Sequence, residues 1–267
     1  MDAEPDDPPR WGGQGPRSCF VLGSGRSGTS LLAGTIAGAG YFCGDDLIPA
    51  REANPKGFFE DRHVNDLNER LLDPVVSARS SRVHQPGSDP VTHWGQRWLA
   101  QVPVGTEIRL PQELRAEMEG LCRHVPFCFK DPRFSYTLDA WRRCVRDGAV
   151  YLCVFREPSR TAASILVEAR QPYLADLDLD RDGALGVWTL MYRHILETHR
   201  GQGEWVFVHY DQIIDGSGLD RVEAALGTRV DRSFPEPMLK RSVDVGGVSA
   251  ETARTYATLC DLAGFRS

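Results

Sequence analysis

Four short apolar runs recur along the chain, at 19–22, 126–130, 149–155 and 205–209. Each is continuous rather than alternating, the pattern of strands buried on both faces. Between them lie segments with apolar residues at helical spacing. The spacing predicts helices over 31–39, over 62–80 with Val64, Leu67, Leu71 and Leu72 on one side, from Pro111 onward, through Trp141 and Val145, and over 159–170, 183–200, 218–226 and 249–263. Pro74 is expected to kink or split the second of these. Residues 81–110, rich in Gly, Pro, His and Trp, show no period and read as a long loop. Strands alternating with helices imply an α/β chain: a central parallel sheet with helices on both faces.

The transition from the first strand to the first helix is the most informative stretch. It reads Gly23-Ser-Gly-Arg-Ser-Gly28-Thr29-Ser30. A glycine-rich turn that runs from a strand into a helix aims several backbone N–H groups at one point, and the helix dipole adds positive potential there. This predicts an anion site formed by Gly25, Arg26, Ser27, Gly28, Thr29 and Ser30. The frame is that of a Walker A loop with Thr29 in the lysine position and the cation moved to Arg26. A Mg-dependent P-loop phosphotransferase would need that lysine and an acidic strand end. The strands end instead in Lys130 and Arg156, with only Asp131 and Asp211 close by.

A second group follows the third strand. Arg156 stands at its C-terminal end, on the ligand edge of a parallel sheet, and Ser164 comes eight residues later in the next helix. Together they predict a second anion site. Composition narrows the partners. The 267 residues carry a net charge of −6, which argues against a general nucleic-acid binder, and no apolar run is long enough to span a bilayer. The acidic, proline-rich start does not resemble a signal peptide, and residues 1–17 are expected to form a disordered tail before one domain over 18–267. The seven cysteines include no CxxC pair, so buried reduced thiols in a cytoplasmic protein are expected, without a metal site. Arginine outnumbers lysine 28 to 3, which draws attention to Lys56 and Lys130.

Two phosphate sites on one sheet edge, without a magnesium motif, suit 3′-phosphoadenosine 5′-phosphosulfate (PAPS). Here the chain resembles the PAPS-dependent sulfotransferase family, of bacterial type and P-loop-like fold. Arg26-Ser-Gly-Thr-Ser30 is similar to its 5′-phosphosulfate loop. Arg156 with Ser164 is similar to its 3′-phosphate pair, and Phe207-Val-His-Tyr-Asp-Gln-Ile-Ile to a late strand. Trp188 with Tyr192 fits the preceding helix. Asn54-Pro-Lys-Gly-Phe-Phe-Glu60 and Lys130-Asp-Pro-Arg133 resemble bacterial motifs. The resemblance spans about 18–215. It implies a sulfuryl transfer from PAPS to a hydroxyl of a small-molecule acceptor, with no metal. Lys130 and Arg26 are implied as charge stabilisers. The family's base histidine position holds Pro132, so the base must lie elsewhere. Glu60 is the first choice, as a carboxylate of raised pKa between Phe58, Phe59 and the next helix, with Asp131 and His63 in reserve. Lys56, His63, Asp131 and Arg133 are candidate acceptor contacts. Trp94, Trp98 and the segment 171–182 are candidates for a lid. A non-catalytic nucleotide-binding module would keep the anion sites and lack the base.

Overall fold

The computed structural model describes residues 15–51, 54–80, 93–174, 177–236 and 246–266. Most of the tail expected over 1–17 lies outside those residues, but Arg17 does not belong to it. Its backbone N–H donates to the Leu226 carbonyl and its guanidinium pairs with Glu204.

The four apolar runs form one all-parallel sheet: β1 (Cys19–Leu22), β2 (Cys128–Lys130), β3 (Val150–Phe155) and β4 (Glu204–His209), in the order β2-β1-β3-β4. Both faces are covered, so successive side chains enter two separate cores. Phe20, Leu22, Phe129, Tyr151, Cys153 and Phe155 point into one core. Cys19, Val21, Cys128, Leu152 and Val154 point into the other. This is why the strands read as continuous apolar runs.

The smaller core is closed by α1 (Thr29–Ala37) and α8 (Leu219–Leu226). The larger is closed by α2 (Arg62–Ser80), α3 (Gln112–Leu121), α4 (Phe134–Arg142), α5 (Pro158–Glu168), α6 (Arg181–His194) and α9 (Ala250–Ala263). The helix α2 continues through Pro74 rather than splitting there. One turn of π-helix, Ile195–His199, prolongs α6, and a short α7 (Tyr210–Ile214) follows β4 directly. At five residues, α7 is too short to leave a periodic signal in the sequence.

Strand order and chain order together fix where a ligand belongs. The chain leaves β1 for β2 on one side, then crosses to β3 on the other. A crevice therefore opens at the carboxyl ends of β1 and β3. The glycine turn leaves β1 there, Arg156 leaves β3, Lys130 ends β2 and Tyr210 follows β4.

One residue at that edge also sets a pH response. His209 ends β4 and caps α7, its Nδ1 accepting the Asp211 N–H at 3.1 Å, while Nε2 faces the Tyr256 hydroxyl at 3.2 Å. Burial lowers its pKa from 6.5 to about 4, against the partial compensation of Asp211. The folded protein thus binds this proton less tightly than the unfolded chain. Stability is complete above about 6.5 and falls as pH drops toward 4, by roughly 2–3 kcal/mol for this group. Urea melts at pH 7.5 and 5 are expected to show the loss, and His209→Gln to flatten it. An unchanged pH slope in that variant would contradict the assignment.

Candidate active site

The turn after β1 depends on backbone freedom at its two ends. Gly23 has φ 133°, and a Cβ there would sit 2.2 Å from the Val154 carbonyl oxygen. Gly28 has φ 99°, and a Cβ would sit 2.5 Å from the Tyr210 ring. Arg26 itself takes the left-handed conformation, at φ 67°. Gly28 precedes α1 and no side chain among the described residues caps that helix, which leaves its first N–H groups turned to the crevice. Gly28→Ala is expected to combine strain with a ring clash. It should destabilise the fold by about 1–3 kcal/mol, read in urea melts.

The crevice is a cavity of about 640 Å³. Gly25, Arg26, Gly28, Thr29 and Ser30 line it from the turn, and Arg156 and Ser164 from the next strand and helix. Lys56, Glu60, Lys130 and Arg133 line it from the other side. All the residues expected to form two anion sites except Ser27 are thus brought into one cavity. The Arg26 Nε donates to Ser164 Oγ at 3.1 Å, and its Nη1 lies 3.6 Å from the Glu168 carboxylate. Arg156 lies over the Tyr210 ring, 4.7 Å from its centroid, and makes no ion pair with the described residues. Burial lowers its pKa, though an arginine remains charged. A partly buried guanidinium that makes no ion pair with the described residues, with Asp211 and Glu157 acting on it only at longer range, fits an anionic ligand.

Several expectations change. Glu60 is not a carboxylate in an apolar pocket. Lys130, itself buried, donates from Nζ to its Oε1, and the Asn65 amide donates to its Oε2 at 2.9 Å. Burial pushes the Glu60 pKa up, but the charges of Lys130 and Arg133 and these two hydrogen bonds outweigh it and hold the pKa below the usual value. Phe59 turns away to pack on Phe234.

Asp131 does not line the cavity. It is fully buried, accepting from Asn68 at 2.9 Å and from the Arg133 backbone and guanidinium, and burial raises its pKa. It is a brace for the turn after β2, as is Arg133, whose Nε donates to Glu69 at 2.6 Å. His63 is half exposed, pairs with Glu117 at 3.2 Å and lies outside the cavity. Ser27 is fully buried and also outside the lining. Lys56 does reach the cavity, where its Nζ donates to the Phe234 carbonyl at 2.5 Å and pairs with Glu236 at 3.1 Å.

Several lining residues were not anticipated. Tyr210 follows β4 at the same edge as Arg156, so the strand-end rule that found Arg156 reaches it too. Glu168 lies four residues after Ser164, one helical turn on, and is buried. Its Oε1 accepts from the Tyr173 hydroxyl at 2.7 Å. Asn65 and Glu69 lie on α2 and have no sequence signal. Of the segments expected as a lid, Trp94, Trp98 and Tyr173 do line the cavity, with Trp98 against Gly25; residues 175–176 lie outside the described residues.

This fold, a β2-β1-β3-β4 parallel sheet with a glycine turn after its first strand, is that of sulfotransferase domains. The structure matches the sulfotransferase domain from the Synechococcus PCC 7002 olefin synthase with a TM-score of 0.51 and 18% identity, over 97% of this chain and 98% of that one. It also matches the sulfotransferase domain from the curacin biosynthetic pathway, with a TM-score of 0.50 and 15% identity, over 94% and 98%. At such identities the likeness is one of fold. No protein-family model matches the sequence, and no curated protein does.

Proposed function

We propose that the protein transfers a sulfuryl group from PAPS to a hydroxyl of a small-molecule acceptor. The observation that supports this most directly is the pairing within one cavity. A glycine turn with Arg26 and an Arg156 that makes no ion pair among the described residues stand on neighbouring strands, and the Lys130–Glu60 pair lies opposite. The first two suit an anion charged at both ends. The third suits proton removal beside a site where negative charge appears.

The donor supplies a sulfuryl group already activated by its anhydride bond to phosphate. The chain's own residues do the rest. The turn amides and Arg26 hold the 5′ end, and Arg156 with Ser164 holds the 3′-phosphate. Glu60, ionised at neutral pH, takes the proton from the acceptor hydroxyl as its oxygen bonds to sulfur. Lys130 stabilises the charge that passes to the 5′-phosphate oxygen when the old S–O bond breaks. Trp94, Trp98 and Tyr173 border the cavity and reduce its contact with water. Asp131 would be a poor magnesium ligand for a phosphotransferase, since its carboxylate is already committed to Asn68 and Arg133.

The test is a screen with ³⁵S-labelled PAPS across phenols, alcohols and sugars. A labelled organic product is expected from at least one class. Labelled transfer to none of them, with tight donor binding intact, would favour a nucleotide-binding module instead.

A further inference from the structure

The Lys130–Glu60 pair poses a problem for the proposed reaction. Both carboxylate oxygens of Glu60 are occupied: Oε1 by Lys130 Nζ and Oε2 by Asn65 Nδ2. Each oxygen keeps a second acceptor position, but the Lys130 ammonium holds Glu60 at low basicity, and the carboxylate becomes a stronger base once that partner moves away. Lys130 is the partner with another task. An anionic donor draws its ammonium toward the leaving oxygen, which frees Oε1. Glu60 is then left without the contact that oriented it, unless the other contact holds.

The Asn65 contact is placed to hold. Asn65 lies in the first turn of α2, and its backbone N–H donates to the Asp61 carbonyl at 3.0 Å. Asp61 is itself fixed, accepting from the Val64 N–H at 3.0 Å and the Asp46 N–H at 3.0 Å. The Asn65 Oδ1 is buried and has no hydrogen-bond partner among the described residues, so the amide is not committed elsewhere. The opposite amide orientation would turn this oxygen toward a carboxylate, which sets which way the group points.

We propose that Asn65 is the positioning residue of the base: it keeps Oε2 of Glu60 in place after Lys130 turns to the donor, so that Oε1 faces the acceptor hydroxyl. This rests on Glu60 acting as the base. The remaining charged groups near Glu60 are Arg133, which favours its ionised form, and Asp131, whose charge opposes it. Both are bound to each other and stay in place. Loss of the Asn65 hydrogen bond therefore raises the Glu60 pKa and loosens the side chain.

The experiment is ¹³C NMR titration of glutamate carboxyl groups in protein saturated with 3′-phosphoadenosine 5′-phosphate, with the Glu60 signal assigned by its loss in Glu60→Gln. Asn65→Leu is expected to raise the Glu60 midpoint by about one pH unit, and Asn65→Asp, which keeps the shape but replaces the donor with a charge, by more. In turnover with labelled PAPS, Asn65→Leu should lower kcat about tenfold and leave the KM for PAPS within a factor of about two. Circular dichroism checks that each variant is folded, and Asn65→Asp stands if the leucine variant is not. An unchanged Glu60 midpoint in folded variants overturns the proposal. The base assignment fails separately, if Glu60→Gln retains full turnover.

Discussion

Glu60→Gln is expected to lower turnover by about 100- to 10,000-fold, the range a positioned general base contributes, while 3′-phosphoadenosine 5′-phosphate binds as well as before or slightly better. The two readouts separate because Glu60 faces Lys130 and Asn65 rather than the turn that holds the donor. Glutamine keeps an oxygen for the Lys130 hydrogen bond, so the buried lysine is not stranded, and its charge is fully available to the donor. The carboxylate's lowered pKa adds a second expectation. The group is ionised throughout the neutral range, so the acidic limb of kcat/KM should fall below the ordinary glutamate value of 4.5. Full activity in the variant, measured with labelled PAPS, would remove Glu60 from the reaction.

Arg156→Ala is expected to remove the preference for a 3′-phosphate. Arg156 reaches the cavity from the end of β3, stacked on Tyr210, and makes no ion pair with the described residues. A charge-assisted hydrogen bond to a phosphate is worth about 1.5–3 kcal/mol, or roughly 10- to 150-fold in affinity. The wild type should therefore bind 3′-phosphoadenosine 5′-phosphate at least that much more tightly than AMP, and the variant should bind the two nearly alike. Calorimetry with both nucleotides on both proteins checks this. An unchanged ratio in the variant would mean that the 3′-phosphate, if it is recognised, lies elsewhere.

The elements that were legible in the sequence are those fixed by local periodicity. All four strands could be placed because both faces of the sheet are buried, so their side chains are apolar without interruption. The glycine turn was legible because Gly23 and Gly28 adopt backbone angles that few other residues tolerate. Arg156 and Ser164 were legible because a strand end and a helix face are sequence-local. What local pattern could not show is pairing between distant segments. Glu60 and Lys130 are 70 residues apart, and nothing in either motif says that they meet. Glu60 therefore looked like a carboxylate among phenylalanines, and the cation that lowers its pKa was invisible. Asp131 misled in the same way. It reads as an acid at a strand end, yet Asn68 on α2 and Arg133 draw it into the protein interior. Pro74 shows that a proline cost can be outweighed by packing. Val64, Leu67, Leu71 and Leu72 bury one side of α2, and the helix carries through.

A cavity built for a doubly phosphorylated adenosine nucleotide is distinguished from one built for a metal-bound triphosphate by isothermal titration of the full chain. One titration uses 3′-phosphoadenosine 5′-phosphate in buffer with chelator, the other ATP with magnesium. Tight, saturable binding of the first without metal, and at least tenfold weaker binding of the second, is expected. Tighter binding of ATP with magnesium, lost on chelation, would contradict it.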